Sequence, residues 1–198
     1  MTIKRDIIRF FDEMIALYPI DSSEVIGWSS KDTQSLRFNV LSQISDLNLC
    51  SILDVGCGVG DLFEYLNERF EGISYEGIDL HQKMIQIANK KYPEGSFKEQ
   101  ELQNFIGQYD YVFVSGAFNL FVSDNMRYFS DQLNFMDRVA KKGIAFNLLS
   151  SYAKLNARYP SLYYYDPLEV FRLCKNRFER VILRHDYLDN DFTIYIYK

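Results

Sequence analysis

The residues best suited to chemistry sit in one short window, where Asp54, Gly56, Gly58 and Gly60 alternate directly behind the apolar run "SILDV". Glycines at that density let backbone approach a ligand closely, and binding crevices in such folds lie beyond the carboxyl ends of the strands. Asp79 follows Gly56 by 23 residues and ends a second strand-like run, "SYEGIDL". An acidic side chain at about that distance accepts hydrogen bonds from ribose hydroxyls. The pattern describes a nucleoside-cofactor site, but not one for a dinucleotide. The GxGxxG fingerprint requires a third glycine where this chain has Asp61 or Phe63. Asp61 at the opening of the following helix would also repel a pyrophosphate.

For these groups to converge, their strands must lie side by side with helices between them. "SILDV" is followed by helix-like "DLFEYLNERF", and "SYEGIDL" by "QKMIQIANKKY". "SFKEQ", "YDYVFVSG", a helix near 125–141 and "GIAFNLLS" continue the alternation. Strands separated by helical segments signal βαβ units on a parallel sheet. "YVFVSG" and "IAFNLL" are apolar at nearly every position, as expected where helices cover both faces. "FERVILRHDYL" and "DFTIYIYK", joined by "DND", read as a hairpin that ends the sheet in an antiparallel edge strand. Ahead of residue 50, apolar spacing predicts helices over 3–17 and 33–47, the second capped by Asp32. The loop between them carries Trp28.

The run Asp54-x-Gly56-x-Gly58-x-Gly60 resembles motif I of the class I S-adenosylmethionine-dependent methyltransferases. The resemblance covers residues 50–198 and extends loosely to the N-terminal helices, which are similar to the lid helices of many members. It implies an α/β fold: a three-layer, doubly wound, mostly parallel, seven-stranded Rossmann-like sheet with an antiparallel terminal hairpin strand. The whole chain, 1–198, is then one domain, with 1–49 as lid and 50–198 as core. The implied cofactor is S-adenosyl-L-methionine. Asp54 suits its ammonium, and Asp79 binds both ribose hydroxyls. Gly56, Cys57, Gly58 and Gly60 form the loop, with the Cys57 side chain packing behind it. Leu80 and Met84, with Ile85 beside it, flank the adenine. Glu101 stands where the family usually has Asp for the adenine amino group, next to Leu102. Ser115 ends the fourth strand near the reaction centre, and Arg37 is placed to pair with the cofactor's carboxylate.

Methyl transfer needs an aligned acceptor rather than a catalytic triad. "FNL" occurs at 118–120 and again at 146–148, so Asn119 and Asn147 both fall at strand ends. An amide there either orients an acceptor or caps a turn. His81, just after Asp79, reads as a rim residue, and His185 as a general base or a structural histidine. Trp28 is placed to close over the methyl site. Tyr163, within a cluster of tyrosines that includes Tyr159, Tyr164 and Tyr165, is expected over the acceptor pocket.

Composition narrows the partners. A net charge of −5 supplies no basic footprint for nucleic acid or an anionic membrane. The three cysteines lack metal-site spacing, so no metal is expected, and they fit reduced thiols in a cytoplasm. The expectation is a cytoplasmic monomer or homodimer acting on a small-molecule methyl acceptor. The alternative is a domain that binds the cofactor as a sensor or scaffold without turnover.

Overall fold

The computed structural model describes residues 3–19 and 30–198. Helices α1 (Ile3–Leu17) and α2 (Lys31–Ser42) precede a seven-stranded sheet built from β1 (Ser51–Val55), β2 (Ser74–Asp79), β3 (Phe97–Glu99), β4 (Tyr109–Ser115), β5 (Ala140–Leu149), β6 (Arg180–Leu188) and β7 (Asp191–Tyr197). Between strands lie α3 (Asp61–Asn67), α4 (Gln82–Lys91), α5 (Asn125–Val139) and α6 (Pro167–Lys175). The strand order is β3-β2-β1-β4-β5-β7-β6. β1 through β5 pair in parallel, and β7 runs antiparallel to both its neighbours.

Residue alternation explains why the central strands read as continuous apolar runs. Leu53, Val112, Val114, Ile144 and Phe146 pack with Phe129, Leu133 and Met136 of α5 and Val170 of α6. Their neighbours Ile52, Phe113 and Ala145 turn the other way, into Leu41 of α2, Leu62 and Leu66 of α3 and Ala88 of α4. Both faces are covered, so neither can be polar.

The expected terminal hairpin closes the sheet; its antiparallel strand, β7, lies between β5 and β6, so β6 is the edge strand. The chemistry agrees: β7 is buried at six of its seven positions, whereas β6 carries Arg180, Arg184 and Asp186 and is nowhere fully buried. A charged strand suits the position where only one side is paired. The cap of α2 is Ser30, whose hydroxyl accepts from the Thr33 N–H, and Asp32 lies inside the first turn. α6 is capped by Asp166, which accepts from the Leu168 N–H, with Pro167 in the first turn.

Candidate functional site

The loop after β1 is held in a shape only glycine tolerates. Gly56, Gly58 and Gly60 all have positive φ, at 75°, 54° and 87°. A Cβ on Gly56 would stand 2.3 Å from the Ala117 Cβ, so the loop packs directly against the segment following β4. The Gly56 and Cys57 amides both donate to the Ile78 carbonyl, at 2.8 and 3.1 Å, which ties the loop to β2. Gly60 then opens α3.

Two carboxylates flank this loop, Asp54 buried and Asp79 half-buried. Asp54, 2% exposed, accepts the Tyr75 hydroxyl proton at Oδ2 across 2.6 Å. Burial lifts its carboxyl to about 7, against the pull of that hydrogen bond. Asp79 accepts from the Gly58 N–H at Oδ2 and from the His81 N–H at Oδ1, each at 2.9 Å. Its carboxyl is also raised, chiefly by burial. Cys57 is buried behind the loop against Gly77, and burial raises its thiol well above the usual range.

Asp54, Gly56, Cys57, Gly58 and Asp79 line one large cleft of about 970 Å³. Leu80, Met84, Glu101 and Leu102 line it too. Ile85 does not; it turns into the core beside Ala88. Glu101 is engaged on both oxygens, by Lys4 Nζ and by Gln103 Nε2, each at 2.6 Å. His81, expected at the rim, is buried, with its ring 3.5 Å from Asp12 of α1.

Beyond Ser115 the cleft continues along Gly116, Ala117 and Asn119. The Asn119 Oδ1 accepts from the Leu149 N–H at 2.9 Å, and its Nδ2 has no hydrogen-bond partner among the described residues. Asn147 is fully buried and donates to the Ser115 Oγ at 3.3 Å. Its register next to Thr193 of β7 puts it inside the sheet, not in the cleft.

Three expected site residues sit differently. His185 is on the edge strand, with its ring 5.8 Å from Tyr152 and 6.2 Å from Phe192, and it does not reach the cleft. β7 separates its strand from β5, which removes it as a base for the acceptor. Tyr163 packs edge-on against Tyr165, with centroids 4.6 Å apart, while its neighbours Tyr159 and Tyr164 line the cleft instead. Its N–H is paired with the Asn119 carbonyl. Arg37 lines the cleft, yet its Nε donates to the buried Asp191 at 2.8 Å and its Nη1 to the Thr33 carbonyl. Trp28 lies outside the described residues.

The expected lid supplies one wall, although its lining residues were not named from the sequence. Ile3, Ile7, Phe10, Phe11 and Met14 of α1 line the cleft, and their helical spacing was the available signal. Gln34 of α2 joins them, donating to the Asp61 Oδ2 at 3.0 Å.

Residues 52–143 match the family model described as a methyltransferase domain. Over 155 residues, 75% of its length, the chain is 33% identical to a putative methyltransferase, Rv1506c, of Mycobacterium tuberculosis, and it covers 93% of that protein. The chain belongs to the class I S-adenosylmethionine-dependent methyltransferases. It is 24% identical over 120 residues to a trans-aconitate 2-methyltransferase of Rhizobium leguminosarum, of whose length it spans only 43%. Its fold matches that of magnesium protoporphyrin IX methyltransferase from Synechocystis, solved with bound S-adenosylmethionine, at a TM-score of 0.69 with 16% identity, covering 100% of this chain and 98% of that one. The plantazolicin methyltransferase BamL gives 0.70 at 17% identity, covering 98% and 96%. This methyltransferase uses S-adenosylmethionine, and it is an enzyme, so the sensor alternative falls away. The cleft fits that cofactor: the glycine loop presents backbone to it at Gly56 and Gly58, and the carboxylates Asp54 and Asp79 stand beside that loop. Among the described residues no group of acidic, cysteine or histidine side chains is arranged to hold a metal ion. No helix among them is long and apolar enough to cross a membrane.

Proposed function

We propose that this methyltransferase acts on a small-molecule acceptor, which enters the same cleft as the cofactor. The observation that carries the reading is continuity: one cavity of about 970 Å³ runs from the glycine loop to Asn119, Tyr159 and Tyr164. That volume stands at the top of the range for small-ligand sites, roughly 300–1,000 Å³, and leaves room for two occupants. The trans-aconitate and protoporphyrin named for two similar enzymes are small acceptors, which supports the same class here. We assign the protein as a single domain, in the cytoplasm, with α1 and α2 closing over the cleft.

When bound, S-adenosylmethionine supplies a methyl group already activated on a sulfonium. Asp54 meets the ammonium of its methionine end, with Ser115 and Arg37 alongside. Asp79 accepts from the ribose hydroxyls and Glu101 from the adenine amino group, while Leu80, Met84 and Leu102 enclose the ring. Gly56, Cys57, Gly58 and Gly60 contribute backbone rather than side chains. The remaining tasks are to align the acceptor and to exclude water. Asn119 is the catalytic residue we assign, because it lines the cleft and the Leu149 N–H occupies its carbonyl oxygen, which leaves its amide donor for the acceptor. Tyr159, Leu162 and Tyr164 shelter the apolar part of the acceptor.

The test is incubation of the purified chain with methyl-labelled S-adenosylmethionine and a metabolite extract. Label in the small-molecule fraction is expected. Label carried only by protein or nucleic acid would contradict the reading.

A further inference from the structure

The apolar face of α1 is turned to the cleft and is only partly covered. Ile3, Ile7, Phe10, Phe11 and Met14 all line the cavity, with Tyr18 just beyond, yet Ile7 alone in this helix is buried. A helix of this kind gains stability by placing that face against something apolar. The polar contacts of α1 show where the face lies. Lys4 Nζ is 2.6 Å from Glu101 Oε1. Asp12 Oδ1 is 3.1 Å from Lys83 Nζ and 3.5 Å from His81 Nε2, and the His81 N–H in turn donates to Asp79 Oδ1. One end of α1 is therefore tied to Glu101, and the other to the residue that orients Asp79. Lys4 and Glu101 are 41% and 27% exposed, so their ion pair holds the helix only weakly in water.

We propose that α1 is a clamp on the nucleoside half of the cofactor, with Lys4 as the positioning residue for Glu101, so that adenine recognition and closure of α1 are one event. The proposal rests on the reading of Glu101 as the partner of the adenine amino group. Lys4 and Gln103 each donate to one Glu101 oxygen and so fix the plane of the carboxylate. Each oxygen keeps a second lone pair for a further donor. Bound adenosine supplies the apolar surface that Ile3, Phe10 and Met14 lack. Closure of α1 in turn removes water from around Glu101, which strengthens every hydrogen bond it accepts. The coupling is reciprocal: what α1 adds to cofactor affinity, the cofactor adds to the docking of α1.

The experiment uses the full chain and two ligands, S-adenosylhomocysteine and S-inosylhomocysteine, in which a carbonyl replaces the adenine amino group. Calorimetry reads the preference between them, and hydrogen exchange over residues 3–17 reads closure. The wild type is expected to prefer the adenosine ligand about tenfold, the scale of one hydrogen bond to a charged group. The same ligand is expected to slow exchange over α1. Lys4→Gln loses most of the preference and the protection together, and Lys4→Arg keeps both. A Lys4→Gln chain that retains both overturns the clamp and leaves the role of Glu101 standing. Wild type that binds the two ligands equally overturns the role of Glu101, and the clamp with it.

Discussion

Tyr75 donates its phenol proton to Asp54 across 2.6 Å, and the pair is buried beneath the glycine loop after β1. That single hydrogen bond stabilises the Asp54 carboxylate without balancing the cost of burying its charge, and its pKa stands at about 7. A carboxyl raised in the folded state binds a proton that the unfolded chain has already released. Stability is therefore expected to fall as pH rises from about 4 to about 7, by up to a few kcal/mol from this group. Asp54→Asn keeps an acceptor for Tyr75 and removes the titration. Its melting temperature should match wild type below about pH 4 and exceed it near pH 8. Parallel melting profiles for the two chains would contradict this.

Asn119 combines a structural bond with the donor we assign to catalysis. Asn119→Ala leaves the buried Leu149 N–H without its acceptor, at a cost of about 1–3 kcal/mol in denaturant unfolding. Asn119→Asp restores an acceptor and still lacks the amide donor. Unfolding and turnover, measured side by side, should show the Asp variant more stable than the Ala variant but equally slow. Recovery of turnover together with stability would assign Asn119 to the fold alone.

Arg37 and Asp191 form an ion pair that is 4% and 0% exposed at its two side chains, with the Tyr187 hydroxyl donating to the second Asp191 oxygen. Removing one partner strands a buried charge. Asp191→Ala is expected to cost about 3–5 kcal/mol in equilibrium unfolding. A loss below about 1 kcal/mol, the range of an exposed pair, would show that water reaches the site.

The convergence of Asp54, Gly56, Gly58 and Asp79 on one cleft was legible in the sequence because its signals are local. Asp54 and the three glycines occupy one turn, and Asp79 lies one βαβ unit further on, so spacing alone brings them together. The places that misled depend on strand order. His185 sits in a strand recognisable from its pattern, but the insertion of β7 beside β5 separates it from the cleft, and periodicity does not encode pairing partners. Residues 150–165 form neither a long helix nor a strand named in the sheet, so nothing in their spacing distinguishes Tyr163, packed on Tyr165, from Tyr159 and Tyr164 at the cavity. The α1 helix was visible as a helix. What its apolar face covers was not, because the partner is a cavity rather than another element.

The claim on which the rest depends is that Asp79 and the loop after β1 receive a phosphate-free sulfonium nucleoside. Titration calorimetry of wild type and Asp79→Ala with S-adenosylhomocysteine tests it most directly. The account expects wild type to bind and the variant to bind roughly tenfold to a hundredfold more weakly, the loss of acceptors worth about 1–3 kcal/mol. Equal affinity in the two chains, or a wild type that ignores this ligand and takes up NADH, would contradict it.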